Sequence, residues 1–318
     1  MPLRGQMDRV FRYGSDNRLL QAGDARYEHD NRGFRSRKVT LQGETRYHYA
    51  PDYRLLAVEL FDGRVVEYTH DDQGLRNAKY VNGRLTERFR WKDRAHLAAW
   101  SHVDVAGGQW WEVAYSQDGH PMGLFAHSQD QHAEILLHTD QIGSVRVVEF
   151  PTEGMVKEIL YDAFGNVVKD GNPYLHSPIG FAGGLHDRDT GLVRFGWRDY
   201  DPDTGRFTAK DPIGAAGGDS DWYGYCLDDP VNGRDPKGLN PWYRLMDLGA
   251  KAWKYTEPWL DTGTPSAAGL YEVAVNYGKE YADEALEGAK KAGKWYLDTV
   301  DKNTHKISEN RYGNRDEN

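Results

Sequence analysis

Two Asp-Pro steps, Asp211-Pro212 and Asp235-Pro236, lie 24 residues apart, each just after a predicted strand. Two carboxylates brought close cannot both ionise easily, so one stays protonated while the other is charged. Such a pair can activate a water against a peptide carbonyl and protonate the departing amide. The bond within reach along the chain is Leu239–Asn240, four residues past Asp235. A substrate carried on the same chain has a high effective concentration, so weak catalysis suffices for one turnover. Arg206 or Arg234 is the candidate to hold a carboxylate or polarise the carbonyl. From the residues alone, Asp-Pro is also a common turn opener, and both readings stand at this point.

Other chemistry is sparse. Asp199-x-Asp201-x-Asp203 resembles the opening of a calcium loop. Thr204 stands where that loop needs Gly and Lys210 where it needs Glu, so these are read as turn residues. Cys226 is the only cysteine, which excludes an internal disulfide and a cysteine-based zinc site. No metal or cofactor is expected. His305, with Lys306, Asn310 and Arg311, is a nuclease- or transferase-like corner at most, and a solvated His is the plainer reading.

The elements that must position the acids are strands and turns. An aromatic, any residue, then an aromatic or His recurs at Tyr27-x-His29, Tyr47-x-Tyr49, Tyr68-x-His70, Phe89-x-Trp91 and Val113-x-Tyr115, in steps of 20, 21, 21 and 24. Polar turns with Asp or Gly follow most of these anchors, and YDAFGNVVKD at 161–170 is the clearest copy. Hairpins of this length bury an aromatic face only by lying side by side, which predicts an extended, curved sheet. The near-equal steps favour this over a sandwich with accidental spacing. Further on, DRDTG at 187–191 and DPDTG at 201–205 are turns, with LVRFGWRDY read as one strand between them and GRFTAKDP as another.

Here a resemblance enters. YDAFGN is similar to the tyrosine–aspartate (YD) repeat. LHTDQIGSVRVV at 137–148 resembles the segment that precedes the core of Rhs (rearrangement hotspot) proteins, and GFAGGLHDRDTGLVRFGWRDYDPDTGRFTAKDPIG at 180–214 followed by WYGYCLDDPVNGRDPKGL at 222–239 resembles the Rhs repeat-associated core. The resemblance spans about residues 10–239, is specific over the last part of that range, and does not reach 240–318. It implies a mainly β fold in which a YD-repeat shell, plugged by the core, encloses a variable C-terminal effector. It also implies an aspartyl self-cleaving module whose DPxGL motif, here Asp235–Leu239, marks a cut after Leu239. Asp211 falls in the matching x-D-P-x-G position. The implied division is 1–136 repeat hairpins, 137–239 core and 240–318 a small helical tail. Implied partners are a cognate immunity protein and a secretion apparatus, such as type VI secretion or an insecticidal toxin complex. Members are commonly several times longer, so this chain reads as a fragment, a truncated cassette, or a partner completing another chain's shell.

The bulk numbers fit. Net charge is −9, which speaks against the shell as a general nucleic-acid binder. Aromatics reach 13% with 20 Tyr and 35 Gly, the make-up of short strands and tight turns. The start has no apolar h-region, so no signal peptide is read and synthesis is expected in the cytoplasm, with export by a specialised system. No run approaches about 18 apolar residues. Past Leu239 the pattern turns helical: Trp242, Leu245, Met246, Gly249 and Trp253 share one face, and a stripe of small and aromatic residues follows from Leu270 to Val300. That stripe suits packing on the shell's inner face, or insertion into a membrane after release. The rival function is a non-enzymatic YD-repeat protein that binds carbohydrate or a surface; a third reading is an inactive remnant.

Overall fold

A computed structural model describes residues 9–103, 108–127, 132–214 and 219–239, all within one compact unit. The expected helical tail, and with it Asn240 and His305, lies outside the described residues.

Sixteen strands follow one another as neighbours in a single antiparallel meander, from β1 (Phe11–Tyr13) to β16 (Val167–Asp170). β13 (His132–Thr139) contains residue 137, and the repeat sheet continues through it without a break. A smaller four-stranded sheet follows: β17 (Leu185–His186), β18 (Val193–Phe195), β19 (Arg198–Asp201) and β20 (Arg206–Phe207).

The repeat has a local cause. Asp30, Asp71, Asp140 and Asp162 each accept the backbone N–H groups two and four residues further on. Three residues after each Asp stands Gly33, Gly74, Gly143 or Gly165, at φ 89°, 76°, 83° and 90°. Only glycine takes that conformation freely, and the ladder register slips by one residue at each such turn. At each of these turns the extra residue bends the strand and strengthens the local twist. The first aromatic of four of the five sequence anchors is buried, namely Tyr27, Tyr47, Tyr68 and Phe89, while Val113 and Tyr115 of the fifth are half-buried.

The sheet curls. Laid flat, sixteen strands at the usual spacing would span roughly 70 Å. Yet Arg9, before β1, pairs with Asp203 at 3.0 Å, while Asn166, before β16, donates to the Pro202 carbonyl at 2.8 Å. Both ends of the sheet thus reach adjacent residues of the small core. That core is an aromatic cluster of Phe181, Phe195, Tyr200, Phe207 and Tyr225, with Tyr200 and Tyr225 ring centroids 4.4 Å apart.

LVRFGWRDY differs from its expectation as one strand. Gly196, at φ 44°, folds it into the β18–β19 hairpin, with Phe195 opposite Arg198. Calcium-like Asp199 and Asp201 are buried counter-ions: Asp199 meets Arg76 at 3.2 Å and Arg194 at 2.8 Å, and Asp201 meets Arg35 at 2.5 Å. Asp203 is shared by Arg9 and Lys38. A buried charge is tolerated only when paired, so these contacts set the register of core against sheet.

Candidate functional site

Three chain segments converge on one guanidinium. Arg198 opens β19 directly after the Gly196 turn, and its side chain is 2% exposed. Asp211 follows β20 and the short run Thr208–Lys210. Asp235 lies beyond the turn Cys226–Asp228, whose three residues all have left-handed φ of 53°, 52° and 61°. That conformation costs about 1–2 kcal/mol per non-glycine residue. Beyond this turn, Asp235 and Gly238 meet Arg198.

Arg198 Nη2 meets Asp211 Oδ2 at 2.9 Å and Asp235 Oδ2 at 3.4 Å. The same guanidinium donates through Nε to the Gly238 carbonyl at 2.5 Å and through Nη1 to the Trp222 carbonyl at 3.0 Å, and its carbon stacks 3.7 Å from the Phe207 ring centroid. Burial pulls the guanidinium below its ordinary pKa, opposed by the charges of Asp211 and Asp235.

Each carboxylate is further held by backbone. Asp235 Oδ1 accepts the Leu239 N–H at 3.0 Å. Both Asp235 oxygens are thus engaged, one by the Arg198 guanidinium and one by backbone. Asp211 Oδ1 accepts the Ile213 N–H at 2.9 Å, and the Asp211 N–H donates to Trp222 at 2.7 Å. Burial pushes the Asp211 carboxyl up to about 6; the Arg198 charge works against this and the Asp235 charge adds to it. Asp211 therefore keeps its proton to a higher pH than an ordinary carboxyl does.

The segment Asp235–Leu239 is pinned to the β18–β19 hairpin. Trp197 N–H donates to the Lys237 carbonyl at 2.9 Å. A Cβ on Gly196 would lie 2.3 Å from the Lys237 oxygen, and one on Gly238 would lie 2.4 Å from the Phe195 oxygen. Gly196→Ala is therefore expected to displace residues 235–239 while leaving the repeat sheet intact. Limited proteolysis should find a new cut confined to the region around residue 237.

The two acids read from the sequence are thus brought together, but neither arginine named with them is between them. Arg206 pairs with Asp221 at 2.6 Å and donates to the Asn17 carbonyl at 2.9 Å. Arg234 donates to the Asp118 carbonyl at 2.6 Å. The bridging cation is Arg198, which carries no spacing signal relative to either Asp-Pro step. Leu239 is the last described residue, so the Leu239–Asn240 bond sits at the end of the described chain.

A family model described as Teneurin YD-shell matches residues 4–215. Teneurin-4 of Mus musculus is 30% identical over 202 residues, covering 63% of this chain and 7% of that protein. The tRNA(Glu)-specific nuclease WapA of Bacillus subtilis subsp. natto is 28% identical over 292 residues, covering 88% of this chain and 12% of that protein. Among solved structures, a TcdB2–TccC3 complex superposes with a TM-score of 0.30 at 16% identity, over 73% of this chain and 18% of that one. The chain spans only a small part of the length of each of these proteins. With its Asp-led repeat turns and a family match over most of the described residues, the chain is a YD-repeat protein of the Rhs type and belongs to the Teneurin YD-shell family.

Proposed function

We propose that this chain is the C-terminal part of an Rhs-type toxin that cuts itself between Leu239 and Asn240 and so frees residues 240–318 as an effector. The observation that carries this reading is the convergence of both acids on Arg198 Nη2, with Asp235 also holding the Leu239 N–H. In the reaction, Asp235 takes a proton from water as the water oxygen bonds to the Leu239 carbonyl carbon. Asp211, in its acid form, gives a proton to the Asn240 nitrogen as the C–N bond breaks. The products are a Leu239 carboxylate and an Asn240 amine. Arg198 holds both acids and the Gly238 carbonyl, and fixes the chain next to the bond.

In this reading residues 1–136 are repeat hairpins, 137–239 the core and 240–318 the cargo. An immunity protein would neutralise the cargo in the producer, and a partner chain carrying further hairpins, or the rest of a longer chain, would complete the shell before export. The WapA match covers more of the chain than residues 1–239 make up, so it extends into the tail. That relative is named a tRNA nuclease, which favours nucleic-acid cleavage over membrane insertion as the first activity to assay in the cargo.

The pH dependence follows from Asp211. The acid role needs its proton, and the carboxyl stands at about 6 in the folded chain against 3.8 for an ordinary one. Cleavage of newly refolded chain should be fastest near the acidic end of that window and fall about tenfold per pH unit well above it. Because the folded value is raised, the fold binds this proton more tightly than the unfolded chain does. Asp211 therefore contributes stability that is present at low pH and lost as pH rises between those two values. A cleavage rate that climbs from pH 5 to pH 8 would contradict this assignment of acid and base.

A further inference from the structure

The odd-to-even strand connections of the meander all lie along one rim of the repeat sheet, and this rim faces the segment that carries the acids. Asn17, in the first of these turns, accepts from Arg206 at 2.9 Å. Gly33 accepts from the Tyr223 hydroxyl at 2.8 Å, and a Cβ there would lie 2.6 Å from that oxygen. Arg94 stacks on Trp197, 3.8 Å from its ring centroid, next to the residue that opens β19. Asp118 accepts from Arg234 at 2.6 Å, and Gln141 donates to the Val231 carbonyl at 3.2 Å. Turns spread along the whole meander thus grip residues 197–234 from successive positions around the curl.

The turn at residues 50–54 also faces this region. Tyr53, at φ 69°, packs its ring 4.7 Å from Phe34, and its hydroxyl feels the charges of Asp211 and Arg198. A tyrosine held in that conformation is costly. Its carbonyl accepts from Arg194 Nη1 of β18 at 3.4 Å, which ties this turn to the hairpin that carries Arg198.

We propose that these rim turns form a collar that positions the acid pair, so that self-cleavage waits until the repeat sheet has wrapped the core. This rests on the self-cleavage reading and adds a timing rule to it. Arg94, Tyr53 and the Asp118 turn are positioning residues: none of them touches the scissile bond, and each acts through the hairpin or strap that carries Arg198, Asp211 or Asp235. Such a collar would keep an effector from being freed before its container exists. It also gives Arg206 and Arg234 a role that their place beside the acids suggested in another form, since both are pins to the rim.

The test uses the full chain, made by cell-free synthesis and followed from the uncut to the cut form on gels. Arg94→Ala and Tyr53→Asn should slow cleavage about 10- to 100-fold, the range that a displacement of about 1 Å produces. Arg94→Lys should recover part of the rate by keeping a cation over Trp197. Arg64→Ala is the control, because Arg64 pairs with Asp189 from the opposite rim at 2.5 Å; it should cut at the wild-type rate. A further readout belongs to position alone. The charged or titratable groups facing Asp211 are Arg198 from β19, Asp235 from the segment Asp235–Leu239, Asp219 further along the chain and Tyr53 from the rim. Loosening the site around Asp211 through Tyr53→Asn should shift the falling limb of the pH profile towards acid, which general loss of stability would not do. If wild type is cut but the rim variants keep its rate and profile, the collar is wrong and self-cleavage stands. If wild type is never cut, both fall together.

Discussion

Asp211→Asn and Asp235→Asn are each expected to leave the chain whole. Intact mass of the purified wild type should show two pieces split after Leu239, and each variant a single chain close to the 36.2 kDa of the full sequence. Loss of a positioned acid or base costs about 10²–10⁴-fold in rate, enough to turn cleavage during expression into persistence over days. The two substitutions differ in what else they disturb. Asn at 211 keeps a side-chain acceptor for the Ile213 N–H and removes the buried carboxyl whose pKa is raised. That variant should lose the part of the stability–pH slope which Asp211 supplies between 3.8 and about 6. Asn at 235 likewise keeps an acceptor for the Leu239 N–H, and takes from Arg198 the charge of the carboxylate 3.4 Å away. A wild type that stays whole after folding would remove the self-cleavage reading. Cleavage that persists in both variants would remove the acid pair as its cause.

What the sequence made legible was what local chemistry decides. The Asp-x-x-Gly turns repeat because each solves the same problem within five residues: a carboxylate that binds two N–H groups and a glycine that goes left-handed. Asp211 and Asp235 were visible because an Asp-Pro step is a local word. Arg198 was not. It follows a hairpin turn hidden inside what reads as one continuous aromatic strand, and its partners stand 13 and 37 residues further along the chain. Asp199 and Asp201 illustrate the same gap. The sequence suggests turn residues, but their pairing with Arg76 and Arg35, more than 120 residues away, depends on how far the meander curls. The curl sums small twists over sixteen strands, and no single segment encodes it.

Arg198→Met should damage both the fold around the site and the reaction. The substitution conserves much of the stem that stacks on Phe207 and removes the charge. It leaves two buried carboxylates without their cation, and the Gly238 and Trp222 carbonyls without a donor. Breaking a buried ion pair from one side costs about 3–5 kcal/mol, which for a chain of this size lowers Tm by roughly 10 °C. Measured in an Asp211→Asn background, where no cut can confuse the melt, the loss should shrink, because one of the stranded carboxylates has become a neutral amide. Arg198→Lys should fall between. A lysine supplies one compact charge and can meet one carboxylate, but it lacks the planar fork that serves both acids and two carbonyls together. Partial stability with little cleavage would then separate holding the charge from holding the geometry. Arg198→Met that melts with the wild type and cuts at its rate would show that the guanidinium is a bystander. The acids would then have to be organised by the backbone N–H groups of Ile213 and Leu239 alone.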